Sequence, residues 1–444
     1  MSVRVYPLRG CIHEERRGGE RRFEHGQLPG SRSGSSPAER FEMTGTTVAG
    51  FAASAVSSGV CGDGVLDLAL VASVRNQPGD RRGRLVVSGV PCAGVFTSNR
   101  AAAAPVQVSR AHLAATRGRI AAVVLNSGNA NAATGRKGRE DAERTCEQVA
   151  RCLGVAPEEV LVCSTGIIGI PLDIGRILGA VPALSAALTQ EPGALDDAAT
   201  AIMTTDTVAK KVRIEADGFA VAGIGKGAAM LAPNMATMLA VLTTDALVEP
   251  PQLSAALADA VGRSFNHLSI DGCTSTNDTV IAMASGMASG RAVGVGELAD
   301  AFGAACASLA RQMAFDAEGA TKLVDVKVIG ALSSSEALVA ARRVADSLLV
   351  KCSLNGEDPY WGRVVSELGS AGVAFDIDRV SVSYGGVVVC AGGVAVDHDR
   401  GAVRLHMSGR EVEILCDLGL GDGDAAVVSC DLGHGYIDEN RGTS

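Results

Sequence analysis

The chain has 444 residues and a formal net charge of −9, long enough for two or three packed layers or domains. With 47% hydrophobic and 20% charged residues it is globular in balance, and its 3% aromatic content calls for a core of Ala, Val, Leu and Ile. No basic stripe interleaved with aromatics follows the first 45 residues and no uninterrupted apolar run suits a membrane helix, so nucleic-acid and membrane partners are not expected.

Residues 1–42, with Arg16-Arg17, Arg21-Arg22 and the Gly30 to Pro37 run, are polar and aperiodic; they fit a disordered extension, or translation from an upstream start. No apolar core follows them as in a secretory signal. The folded part is expected from Met43. Arg84 to Val90 and Arg119 to Leu125 have strand composition. Arg139 to Leu153 has helical periodicity and ends at Gly154, a left-handed cap. Val160 to Cys163 is a strand running into Ser164-Thr-Gly. Lys211 to Ala216 and Phe219 to Ala222 flank an Asp217-Gly218 hairpin turn. Helices are expected at 251–264, 297–313 and 335–349, and strands at 380–384, 403–406 and 411–415. This irregular order of strands and helices points to α+β layers rather than a regular βαβ sheet. A sandwich with helices outside two sheets, α/β/β/α, fits it.

The twelve cysteines lie apart, with no Cys-x-x-Cys and no Cys/His cluster at metal-ligand spacing. Cys306, Cys390 and Cys416 sit among Ala, Val and Leu, as buried thiols of a reducing cytosol do. Neither a metal nor a resident cofactor is expected.

The richest stretch runs from Lys226 to Leu239, Lys-Gly-Ala-Ala-Met-Leu-Ala-Pro-Asn-Met-Ala-Thr-Met-Leu. It sets Thr237 among small and apolar residues, where a hydroxyl without a partner is costly unless it has a task. A threonine hydroxyl is a poor nucleophile until a base takes its proton. An N-terminal threonine carries that base itself, because its α-amine titrates near ~7.7–8. Cleavage between Ala236 and Thr237 therefore makes chemical sense; the plainer explanation is a threonine in a buried strand.

Other stretches carry polar groups at strand ends. Cys163-Ser-Thr-Gly-Ile-Ile-Gly169 places the Thr165 hydroxyl and the Gly166 N–H together, a donor pair for an oxyanion, though Ser-Thr-Gly is more often a turn. Asn126-Ser-Gly-Asn-Ala-Asn131 is either an exposed loop or a wall of the site, since buried asparagines need partners. Lys226, in a Gly-Lys-Gly turn, suits a substrate carboxylate, or is a solvated loop lysine. Thr204, in Met203-Thr-Thr-Asp-Thr207, is a helix-end cap on the plainer view. Glu318, in Ala317-Glu-Gly-Ala-Thr-Lys322, is otherwise a surface residue.

Taken together and in order, these stretches resemble the ornithine acetyltransferases, the bifunctional glutamate N-acetyltransferases of arginine biosynthesis, over about residues 43–444. Asp271-Gly-Cys-Thr-Ser-Thr-Asn-Asp278 and Gly356-Glu-Asp-Pro-Tyr-Trp-Gly-Arg363 add to the match and look mainly structural, with Asn277 and Asp278 near the cavity. Departures are Ala209 for a usual proline, Cys273 for a usual aspartate, and a C-terminus, Asn440-Arg-Gly-Thr-Ser444, one residue short and without the usual aromatic.

The resemblance implies self-cleavage at Ala236–Thr237 into two interlocked chains, 43–236 and 237–444, assembled as α2β2. It implies Thr237 as nucleophile and Thr165 and Gly166 as oxyanion hole. Thr204, Lys226, Thr237, Glu318, Asn440 and Ser444 would bind substrate. The reaction implied moves acetyl from N-acetylornithine to glutamate, with acetyl-CoA left open as a further donor. The alternatives are a paralogous N-terminal-nucleophile acyltransferase or hydrolase of specialised metabolism, and a non-catalytic protein whose chain stays whole. A nucleotide site at Gly223-Ile-Gly-Lys-Gly227 lacks both the dinucleotide and the P-loop spacing.

Overall fold

The computed structural model describes residues 47–76, 85–231, 238–288 and 290–442. Strands β1 (Phe51–Val56), β2 (Leu68–Asn76) and β3 (Leu85–Val87) pair in antiparallel succession. The expected strand 84–90 is split: β4 (Val90–Phe96) departs for a second sheet, so one short run serves two layers. Helix α1 (Ala104–Ala115), with a proline in its first turn, leads to β5 (Arg119–Ile120) beside β4. Strand β6 (Ala122–Asn126) returns to the first sheet beside β2. Helix α2 (Gly135–Leu153) crosses over to β7 (Val160–Ser164), parallel to β6, as a parallel pair requires. Gly154 caps this helix at φ +74°, its N–H donated to the Ala150 carbonyl, as its sequence predicts. Helices α3 (Ile174–Ala186) and α4 (Ala194–Ala201) precede the hairpin β8 (Lys210–Ala216) and β9 (Phe219–Lys226).

Strand β10 (Leu239–Thr244) lies antiparallel to β9 and parallel to β11 (Thr279–Ala284), with helix α5 (Pro250–Gly262) between them. Helix α6 (Val295–Phe315) follows. The first sheet has the order β1-β2-β6-β7 with β3 on β2; the second runs β5-β4-β11-β10-β9-β8. They face each other through small and branched side chains: Ala53, Val71, Val123 and Leu125 against Ala222, Ile224, Val241 and Ile281. The outer face of the first sheet is covered by α2 and α3 through Cys146, Val149, Ile177 and Val181. That of the second is covered by α5 and α6 through Leu253, Leu257, Phe302 and Leu309. This is the α/β/β/α sandwich. The second sheet draws β4, β5, β8 and β9 from before residue 236 and β10 and β11 from after it.

The rest of the chain builds a third sheet. Strand β12 (Leu323–Ala331) is followed by helices α7 (Ser334–Ala345), α8 (Leu348–Asn355) and α9 (Trp361–Gly369). Strands β13 (Ser381–Tyr384), β14 (Val387–Ala391) and β15 (Val394–Ala395), helix α10 (Arg400–Ser408), strands β16 (Glu411–Asp417) and β17 (Gly423–Cys430) and helix α11 (His434–Asn440) complete it. The sheet order is β15-β14-β13-β16-β12-β17, and α7 to α10 pack on it through Ala341, Val350, Val364 and Val403.

Two expectations are corrected here. The helix expected at 335–349 is two, because Ser347 caps the second one, accepting the Val350 N–H at 3.4 Å. The strand expected at 403–406 is a helix. Asp399 caps it through the Ala402 N–H at 2.9 Å, and Val403 and Met407, four apart, form its buried side.

Candidate active site

The loops at one end of the sandwich meet where β6, β7, β10 and β11 begin or end. At the end of β7 the main chain turns back onto the Asn126–Asn131 loop. The N–H of Thr165 donates to the Asn126 carbonyl (2.9 Å), that of Ile167 to Gly128 (3.4 Å), and that of Ala130 to Ile167 (3.0 Å). Gly166, between Thr165 and Ile167, has φ +129°, and a Cβ there would stand 2.3 Å from the Gly128 carbonyl carbon, so glycine alone permits this approach. Its N–H has no acceptor among the described residues. The Thr165 side chain is 1% exposed and its hydroxyl is without a hydrogen-bond partner. A buried hydroxyl and a main-chain N–H, both unpaired and side by side, are what a transient oxyanion needs.

The three asparagines are buried and partnered, not an exposed loop. Asn126 donates to the Asn129 carbonyl at 2.9 Å and accepts the Ser164 hydroxyl at 2.6 Å. Asn129 accepts the Asn131 N–H at 2.8 Å, and Asn131 donates to the Gly138 carbonyl at 2.8 Å. Asn277, just before β11, donates to both the Ala130 carbonyl (2.6 Å) and the Ser164 carbonyl (2.8 Å), binding the loop and the end of β7 into one wall.

Lys226 is not on a solvated turn. It ends β9 at 3% exposure, and its ammonium donates to the Thr204 hydroxyl at 2.8 Å. Beneath it lies Asp206, which accepts the Lys210 ammonium at 2.7 Å, the Gly227 N–H at 2.8 Å and the Thr204 N–H at 3.1 Å, with the Lys226 Nζ 3.7 Å away. Lys210 also pairs with Asp316 at the end of α6. Burial by itself would raise the Asp206 pKa, but the Lys226 and Lys210 charges hold the carboxyl well below the usual carboxylate range. Burial lowers the Lys226 pKa, opposed by the Asp206 and Glu318 charges. The sequence motif Thr-Thr-Asp thus supports the lysine from below, a role for Asp206 that inspection of the motif had not assigned.

Glu318 lies at the turn after α6, its N–H donated to the Ala228 carbonyl at 2.9 Å, two residues beyond Lys226. Its carboxylate accepts the Asn440 amide at 2.6 Å, so the C-terminal helix closes over the lysine side of the site.

The segment holding the Ala236–Thr237 bond lies outside the described residues, as does Ser444. Its flanks are described. On the upstream side Asp271 accepts the N–H groups of Met230 (2.5 Å) and Leu231 (3.1 Å), with Met230 in the left-handed region at φ +52°, a costly conformation for a methionine. On the downstream side Asp278 accepts the Met238 N–H at 3.0 Å. Thr165, Gly166, Thr204, Lys226, Glu318 and Asn440, distant in sequence, are thus gathered around the ends of this segment.

The ArgJ family model matches residues 70–442. The arginine biosynthesis bifunctional protein ArgJ of Mycolicibacterium paratuberculosis is 45% identical over 90% of this chain and 96% of its own length. That of Streptomyces coelicolor is 44% identical over 90% of this chain and all of its own length. The chain belongs to the ArgJ family. Among solved structures, the ornithine acetyltransferase of Mycobacterium tuberculosis, complexed with ornithine, is 40% identical with a TM-score of 0.37, over 43% of this chain and 94% of that one. Beyond the residues that the ArgJ resemblance marks, the structure adds two carboxyls to this region, Asp206 and Asp271, and gives Asp278, expected near the cavity, its contact with the Met238 N–H. Each stands inside a quoted motif, but a hydrogen bond to main chain leaves no signature of its own in sequence. Among the described residues no group of three or more His, Cys, Asp or Glu side chains is placed to hold a metal ion, and no helix is long and apolar enough to cross a membrane.

Proposed function

We propose that the chain is an acetyltransferase of arginine biosynthesis that moves acetyl from N2-acetylornithine to glutamate through an acetyl-Thr237 intermediate. The Thr237 hydroxyl first attacks the Ala236 carbonyl, and hydrolysis of the resulting ester leaves an N-terminal threonine. Its α-amine then serves as its base. The acetyl carbonyl of the substrate is attacked next, its oxygen taking negative charge between the Thr165 hydroxyl and the Gly166 N–H. Ornithine leaves, and the glutamate amine collects the acetyl group. The Lys226 ammonium, oriented by Thr204 and Asp206, holds the α-carboxylate common to both substrates. Glu318 faces the ornithine ammonium, and Asn440 and Ser444 close the site.

The observation that carries this reading is the unpaired, buried Thr165 hydroxyl next to the Gly166 N–H, on a wall that Asn277 ties to the chain leading into β11. The 45% identity to an arginine biosynthesis enzyme supports the primary pathway over a specialised paralogue. The two pieces, 43–236 and 237–444, would remain interlocked through the shared second sheet and assemble as α2β2 in the cytoplasm. The test is the intact mass of the purified protein with N-terminal sequencing, followed by transfer of labelled acetyl from N-acetylornithine to glutamate. Two fragments, one beginning Thr237-Met-Leu, and transfer lost in Thr237→Ala are expected; a whole chain, or a Thr237→Ala variant that still cleaves, overturns the assignment.

A further inference from the structure

Helix α11 closes over the lysine side of the site, yet none of its seven residues is buried and no side chain caps its first turn. So short a helix is not stable in water by itself, and polar contacts fix its place. Asn440 at its end reaches Glu318 at 2.6 Å, and the Tyr436 hydroxyl donates to Asp271 at 3.3 Å. Burial, and after it the Asp271 charge, pushes the Tyr436 phenol above its usual range, so it remains a donor. Before the helix the anchor is Asp431, the first residue after β17 and 3% exposed. Its Oδ1 accepts the N–H groups of Thr321 and Lys322, both at 2.8 Å. Its Oδ2 accepts the Thr321 hydroxyl at 2.6 Å and the Asn355 amide at 2.7 Å.

These contacts put one carboxylate between the two pieces of chain that carry Glu318 and Asn440. Thr321 and Lys322 follow the turn that begins at Ala317, whose carbonyl accepts the Ala320 N–H at 3.0 Å. Gly319 in that turn has φ +65°, and a Cβ there would stand 2.1 Å from the Tyr436 nitrogen and 2.3 Å from the Gly435 carbonyl carbon. Main chain therefore lies on main chain, and a shift of either piece displaces the other. Helix α8 holds the far side: besides Asn355, Lys351 donates its ammonium to the Cys430 carbonyl at 2.8 Å, and its own carbonyl accepts the Leu432 N–H at 3.3 Å.

We propose that Asp431 is a positioning residue for the side-chain end of the substrate site, holding the Glu318 turn and the start of α11 in the register in which Glu318 and Asn440 meet. This rests on Glu318 facing the ornithine ammonium. Asp431 touches no reacting atom and acts through Glu318, so its loss weakens recognition of the ammonium rather than attack on the acetyl group. Asp431→Asn keeps an oxygen for the Thr321 and Lys322 N–H groups but sets a donor against the Asn355 amide. Exchanging the two residues, Asp431→Asn with Asn355→Asp, restores a donor and an acceptor across the same gap.

The experiment offers the purified enzyme N2-acetylornithine and its uncharged analogue N2-acetylnorvaline together, with glutamate as acceptor, and measures the ratio of ornithine to norvaline released. That ratio reports the relative kcat/KM of the two donors and does not depend on the amount of active enzyme, so a variant that is merely less stable leaves it unchanged. A misplaced hydrogen bond to a charged group costs roughly tenfold in affinity. The ratio is therefore expected to fall by about tenfold in Asp431→Asn and to return in the exchanged pair. An unchanged ratio in a folded Asp431→Asn, or a fall that the exchange does not restore, overturns the proposal. Should Asp431→Asn fail to fold, Thr321→Val, which removes the hydroxyl contact and keeps both N–H contacts, takes its place: a lowered ratio supports the proposal and an unchanged one overturns it. Glu318→Gln separates the two levels. An unchanged ratio there refutes the contact of Glu318 with the ammonium; a lowered ratio there beside an unchanged one in Asp431→Asn refutes only the role of Asp431.

Discussion

Thr165 and Asp206 show two opposite uses of a buried polar side chain. The Thr165 hydroxyl contributes no hydrogen bond to the fold, so Thr165→Val is expected to leave the melting temperature unchanged or raised, because an unpaired buried polar atom is a cost. Under the oxyanion role proposed for Thr165, its loss should nonetheless lower kcat by about 10²–10³-fold, which steady-state acetyl transfer would measure. A fall in stability parallel to activity would mean a structural hydroxyl. Asp206 is the reverse case, sharing its carboxylate among Lys210, Thr204 and Gly227. Removing one partner of a buried charge network costs about 3–5 kcal/mol, so Asp206→Asn should lose stability in urea by roughly that amount. The Asp206 pKa is lowered in the folded state, and unfolded aspartate titrates near ~3.9. Its stabilisation is therefore fully present above about pH 4 and lost as pH falls through the lower folded value. The gap between the unaltered chain and Asp206→Asn should be constant from neutral pH down to about 5 and close below about 4; a gap constant throughout would contradict the charge assignment.

Glycines separate local from long-range demands among the elements. Gly154 ends α2 in a left-handed cap with open space around its Cβ position, so Gly154→Ala should cost about 1 kcal/mol and spare activity. Gly166 also has positive φ, but its missing Cβ leaves room for the Gly128–Asn129 backbone. Gly166→Ala should force β7 and the asparagine loop apart, giving a lower melting temperature together with loss of transfer. The first glycine was legible in sequence because a helix pattern stops there. The purpose of the second was not, because the chain it touches is nearly forty residues away. The same limit explains α10, whose short apolar run reads as a strand until the Asp399 cap and the third sheet beneath Val403 and Met407 decide otherwise.

At the scale of the molecule, the shared second sheet makes the two halves one folding unit. Strand β10 has β9 on one side and β11 on the other, so each half leaves open sheet edges in the other's absence. Residues 43–236 or 237–444 expressed separately are expected to aggregate, and expressed together to recover a soluble complex by size-exclusion chromatography. A soluble, monodisperse single half would contradict this. The acidic net charge and the small-residue core are whole-chain properties as well, and the face-to-face packing of Ala, Val and Ile between the sheets bears out the second.

Composition, periodicity and the ordered motifs determined the fold class, most elements of the sandwich and the chemistry to expect, because hydrophobic periodicity, capping residues and glycine positions are local and leave their mark in adjacent letters. Tertiary structure decided which letters meet. It buried the asparagines and Lys226, joined Asp206 to Lys210 and Asp316, brought Asn440 to Glu318, and left the Thr165 hydroxyl unpaired. Those outcomes depend on partners up to 147 positions away, as between Asn277 and Ala130. A hydrogen bond between such residues is set by how three sheets pack, which no neighbouring residue in the chain encodes.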